Sequence, residues 1–93
     1  MQVLSAEEAR SRLDRLPGWK TEEGMLVKTF KFKDFREALD FVNRVGELAE
    51  EAGHHPDIDI RYNRVRLSLM THDAGGLTGK DFDLAGGAEK LAE

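Results

Sequence analysis

Ninety-three residues, 40% of them hydrophobic and 34% charged, describe one soluble globular domain spanning 1–93, with room for a single core. A formal charge of -4 argues against nucleic acid, and no apolar run approaches the ~20 residues that a membrane helix needs. Zero cysteines exclude disulfides, thiolate chemistry and cysteine-ligated zinc or iron–sulfur centres. No basic segment followed by an apolar core opens the chain, so no secretory leader and a cytoplasmic location are expected.

Ser5-Ala6-Glu7-Glu8 has the form of a capping box, which predicts a helix running until Pro17-Gly18, with Leu13 and Leu16 turned inward. Trp19 opens a short strand, Glu23-Gly24 turns it, and Met25 to Phe32 form a second strand. Asp34-Phe35-Arg36-Glu37 reads as a second capping box, and the longest helix runs from there to about Ala52. Its Phe35, Ala38, Val42, Val45, Ala49 and Ala52 recur at spacings of three and four on one stripe. Leu39, Phe41 and Leu48 widen that stripe beyond what a lone exposed helix needs, which predicts self-association. Gly53 supplies a left-handed cap.

Ile58, Ile60 and Tyr62 alternate with polar neighbours, as do Val65, Leu67 and Leu69, the period of half-buried strands. A two-residue loop at Asn63-Arg64 would pair Tyr62 with Val65, Ile60 with Leu67 and Ile58 with Leu69. Extending that ladder sets His72 opposite His55. Gly75-Gly76 then breaks the chain, and Thr78-Gly79-Lys80-Asp81 is a third capping box. The last helix carries Phe82, Ala85, Ala88 and Ala92 inward, and Gly86-Gly87 obliges it to lean on packing. The expected fold is α+β, a four-stranded antiparallel sheet covered by helices, in the order α-β-β-α-β-β-α.

All three histidines, His54, His55 and His72, fall within nineteen residues that the second hairpin folds back on itself. Imidazole ionises near neutral pH, with an ordinary pKa of ~6.5, and is the side chain best suited to moving protons there. His54 follows a helix C-terminus, whose dipole favours the imidazolium form, and Pro56 stiffens the backbone after the pair. Glu50 precedes His54 by one turn and can orient an imidazole or remain an exposed charge. Asp81 can serve the helix cap, the site, or both. Trp19 reads first as a core residue and second as a ligand platform. A metal site built on His55, His72 and Asp57 is the competing chemistry, but no metal-binding motif such as HExxH is present. Nucleophilic catalysis has less to stand on, because Ser68 sits mid-strand without an elbow.

The string Glu50-x3-His54-His55-Pro56-x5-Tyr62-x9-His72-x8-Asp81 resembles the signature of the pterin-4a-carbinolamine dehydratases. Gly18-Trp19, the run Phe30-Lys31-Phe32-Lys33-Asp34-Phe35, Thr71-His72-Asp73 and Gly76-Leu77-Thr78 extend the likeness over almost the whole chain. Gly53 departs from it, standing where some members carry a polar residue. The resemblance implies dehydration of 4a-hydroxytetrahydrobiopterin to quinonoid dihydropterin, without metal or organic cofactor, by a homodimer or homotetramer. It implies catalytic roles for His54, His55 and His72, supporting roles for Glu50 and Asp81, and pterin contacts from Trp19, Gly53, Met70 and Thr71. Animal members of the family also bind a dimeric homeodomain transcription factor. A protein-interaction module on the same scaffold is therefore the alternative to an enzyme.

Overall fold

The computed structural model describes residues 2–93. The helix α1 (Ala6–Leu13) starts where Ser5 and Glu8 close a reciprocal capping box: the Glu8 amide donates to Ser5 Oγ, and the Ser5 amide donates to Glu8 Oε1. That amide holds the Glu8 carboxyl below its ordinary value of 4.5, with the Ser5 hydroxyl contributing second. A carboxyl lowered by folding supports the fold above that value, and the support fades as the pH falls through the lowered one. The helix ends at Leu13, earlier than the expected Pro17, and two tight turns carry the chain through Leu16. Leu13 and Leu16 do pack on the core.

The strands β1 (Lys20–Glu22) and β2 (Met25–Lys31) are joined by Glu23 and Gly24, both with positive φ, the conformation that suits a right-twisted two-residue hairpin. Asp34 caps α2 (Phe35–Ala52) by accepting from the Glu37 amide. The expected box closes differently here, since the Glu37 carboxylate accepts from the Lys33 amide, one residue before the cap.

The strands β3 (Asp57–Arg61) and β4 (Arg64–Leu69) form the second hairpin, and the sheet is antiparallel throughout, in the order β1-β2-β4-β3. The hairpin register differs from the expected one by two residues. Ile58 pairs with Leu67 and Ile60 with Val65, so the loop is Tyr62-Asn63 rather than Asn63-Arg64. A tertiary contact selects it: Asn63 donates from its amide side chain to the Phe32 carbonyl, and its own carbonyl accepts from the Phe32 amide. Tyr62 takes φ of 51° to allow this. A shift of two keeps every side chain on its expected face, which is why the alternation survives the error. It also moves the ends: continued past Asp57, the register sets His54 level with Thr71, not His55 level with His72.

The helices α2 and α3 (Gly79–Ala92) lie on one face of the sheet, and the other face carries mainly exposed polar and charged side chains around a buried Val27. The core joins Leu26, Phe30, Val65, Leu67 and Leu69 of the sheet to Ala38, Phe41 and Val45 of α2 and Phe82, Ala85 and Ala88 of α3. Trp19, Phe30, Phe41 and Phe32 pack ring against ring through it, with centroids 4.8–5.9 Å apart. The buried stripe of α2 is Ala38, Phe41, Val45 and Ala49, whereas Phe35, Leu39 and Ala52 are exposed. Ile58 and Ile60 on the edge strand are likewise only partly covered.

These layers predict unequal costs for truncation. Leu67→Ala in the centre should lose about 2–5 kcal/mol in urea unfolding, whereas Ile60→Ala at the edge should lose less than about 1.5 kcal/mol. Equal losses would contradict the layering.

Candidate active site

The end of α2 fixes the first histidine. Gly53 takes φ of 64°, its amide donates to the Glu50 carbonyl, and the His54 amide reaches back to the Ala49 carbonyl, a Schellman cap. The backbone of His54 is thus held by the helix that precedes it. Its ring is turned inward, with the side chain 11% exposed, and Nε2 lies 2.6 Å from Asp81 Oδ1.

Asp81 is fully buried in the first turn of α3. Its other oxygen, Oδ2, accepts from the Thr78 amide at 2.9 Å and from the Thr71 hydroxyl at 2.9 Å. Thr78 Oγ1 stands 2.8 Å from Thr71 Oγ1. The capping box and the site are therefore one structure, with α3 beginning against the histidine.

Thr71 connects this group to the third histidine. Its amide donates to the Gly76 carbonyl, and its own carbonyl accepts from Ala74 and Gly75, which closes a short 3₁₀ turn over His72–Ala74. Gly75, at φ of 77°, ends that turn and lets the chain return. His72 is presented at the surface from this loop rather than from a strand.

A cleft of about 470 Å³ opens between these segments, within the range of small-molecule sites. His54, His55 and His72 all line it, with Gly53, Met70 and Thr71 beside them. Among the anticipated carboxylates, Glu50 hydrogen-bonds His55 Nε2 from outside, both side chains being mostly exposed, and Asp81 supports His54 from beneath. Trp19 is not brought to the cleft. Its indole is buried against Phe30 and donates to Glu89 Oε1 at 2.8 Å, an oxygen that also takes the Lys28 ammonium. Asp73, Ala74 and Lys80 line the cleft without having been anticipated. Lys80 had a legible signal, since it stands next to Asp81 in the capping box. Among the described residues, no group of three His, Asp or Glu side chains is placed to hold a metal ion. A larger depression, about 640 Å³, lies between α1 and α3 near Arg12, Arg15 and Phe82, and no histidine lines it.

Residues 2–91 match the family described as pterin 4 alpha carbinolamine dehydratase. A protein of Thermomicrobium roseum is 61% identical over all of this chain and 97% of its own length. One of Acidobacterium capsulatum is 56% identical over 98% of this chain and 99% of its own. Both carry the provisional name of a pterin-4-alpha-carbinolamine dehydratase. Among solved structures, a transcriptional coactivator/pterin dehydratase from Brucella melitensis superposes with a TM-score of 0.96 at 33% identity, over 99% of this chain and all of its own. A pterin dehydratase-like protein described as a RuBisCO assembly factor of the alpha-carboxysome gives 0.66 at 25%, over 80% of this chain and 86% of its own.

The two carboxylates near the histidines should separate sharply in unfolding experiments. Asp81→Ala strands a buried hydroxyl, an amide and an imidazole nitrogen, and should cost about 2–5 kcal/mol. Glu50→Ala should change stability by no more than about 0.5 kcal/mol. Similar costs for the two would contradict the burial described.

Proposed function

The chain belongs to the pterin 4 alpha carbinolamine dehydratase family, and on that premise we propose that it dehydrates 4a-hydroxytetrahydrobiopterin to quinonoid dihydropterin in pterin recycling. One observation carries the reading. Three imidazoles line a single cleft, one anchored by a buried carboxylate and two exposed. Losing water from the carbinolamine breaks the C4a–O bond as a proton reaches the departing hydroxyl. The proton on N5 is removed as C4a=N5 forms. Acid and base are thus needed on different atoms, each worth ~10²–10⁴-fold.

Differently held imidazoles suit that division. His54 and His72 would serve the hydroxyl, and His55, paired with Glu50, would exchange the N5 proton. Asp81 anchors the ring of His54 through Nε2, and the low exposure of that pair strengthens their interaction. Lys80, Met70 and the backbone at Gly53 and Thr71 would receive the polar edge of the pterin. No metal or organic cofactor has a part in this scheme, and the location proposed is the cytoplasm. Among the described residues no helix is long and apolar enough to cross a membrane.

A second reading, an interaction module, draws on the exposed apolar side chains of α2 and β3, Phe35, Leu39, Ile58 and Ile60. We assign these first to self-association, as a homodimer or homotetramer. Of the two structural neighbours, one is described as a transcriptional coactivator/pterin dehydratase and the other as a RuBisCO assembly factor, which are partner roles of those proteins.

His54→Ala and His55→Ala should each fold and should each lower turnover of the carbinolamine at least ~10-fold. Wild-type rates in both would refute the reading. The dependence of kcat/KM on pH should be bell-shaped, and a flat profile from about pH 5 to 9 would contradict acid–base work by histidine. Sedimentation should show an oligomer that Leu39→Asp dissociates, and a wild type that stays monomeric at high concentration would refute self-association.

A further inference from the structure

We infer that Asp81, oriented by the Thr78 amide and the Thr71 hydroxyl, is a positioning group that fixes the tautomer of His54, making Nδ1 rather than Nε2 the nitrogen that works on the substrate. The inference rests on the dehydratase reading for the identity of the substrate and for the catalytic role of His54.

Hydrogen counting gives the chain a direction. Asp81 Oδ2 faces the Thr78 amide, which can only donate, and the Thr71 hydroxyl, both at 2.9 Å. The N-terminus of α3 favours the anion at this position. Thr71 therefore gives its one hydrogen to the carboxylate, and Thr78 must donate across the 2.8 Å hydroxyl contact. Thr78 Oγ1 is free to do so, because the Lys80 amide, 3.3 Å away, occupies it as an acceptor. The order is Thr78 to Thr71 to Asp81 Oδ2, which leaves Oδ1 as an acceptor with one neighbour, His54 Nε2 at 2.6 Å. Nε2 must then carry the hydrogen.

The other ring nitrogen is left for chemistry. Nδ1 has no partner among the described residues, and none of their unpaired side-chain nitrogens or oxygens is buried, so Nδ1 opens onto the cleft that His54 lines. It holds a lone pair in neutral imidazole and a proton in imidazolium, so both halves of a proton transfer pass through it.

Helix capping does not account for this network. The box at the start of α3 needs Thr78 and Asp81, but the Thr71 hydroxyl comes from another segment, the one that carries the His72 turn. Packing does not require it either, because valine has the same shape. Its effect is orientation: with two donors on Oδ2, Oδ1 is turned to the ring, and a carboxylate oxygen can only accept there.

The test is nitrogen-15 NMR of the imidazoles in the full chain at about pH 9, where an ordinary imidazole is neutral. Wild-type His54 should show hydrogen on Nε2 and a lone pair on Nδ1. In Asp81→Asn, Thr71 and Thr78 hold the amide oxygen, so the NH2 group faces the ring and the tautomer should invert, with kcat falling at least ~10²-fold. Thr71→Val removes one donor from Oδ2 but leaves Oδ1 an acceptor, so the wild-type tautomer should persist. A lone pair on Nε2 in wild type, or an Asp81→Asn spectrum matching wild type, would overturn the inference. The NMR result stands whether or not the protein dehydrates carbinolamines. Failure of the function and failure of this inference are therefore distinguishable.

Discussion

A single buried charge organises this small protein. Asp81 has no exposure to solvent, yet it takes hydrogen bonds from three places: the cap of α3, the hydroxyl of Thr71 and the ring of His54. Burying an unpartnered carboxylate costs several kcal/mol, so the chain tolerates it only with such donors in place. Each donor comes from a separate segment. Forming this one group therefore brings together the end of α2, the exit of β4 and the start of α3, the three segments that border the cleft.

The consequence is an asymmetric set of imidazoles. His54 is held at both backbone and ring, by the Schellman cap after α2 and by Asp81. His55, the next residue, points outward to an exposed carboxylate. His72 rides on a turn that Thr71 closes. Chemistry that removes a proton at one atom and delivers one at another is served by groups in different surroundings, which one protein can tune apart. The outer layer follows a different logic. The single layer of helices leaves the apolar edge of β3 and one side of α2 partly uncovered, and these are the parts to which assembly is assigned.

Much of this was legible in the residues. Caps and periods gave every helix and strand in its right order, because local signals agree with the final packing at Ser5, Asp34, Gly53 and Thr78. The hairpin register was not legible, since the loop is chosen by Asn63 binding Phe32, a contact between elements distant in sequence. Asp81 could be read as a cap and suspected as a site residue, but the hydroxyl of Thr71 that joins it carries no spacing signal. Trp19 was drawn toward the substrate by family likeness, whereas burial and the carboxylate of Glu89 hold it in the core. Local chemistry showed which residues matter, and tertiary contacts decided what each one touches.

The most direct measurement is the decay of 4a-hydroxytetrahydropterin, followed by ultraviolet absorbance, with and without the purified, chelator-treated protein. Acceleration well above the spontaneous rate is the predicted result. Decay no faster than in buffer, from protein that circular dichroism shows to be folded, would contradict the assignment of this cleft to carbinolamine dehydration.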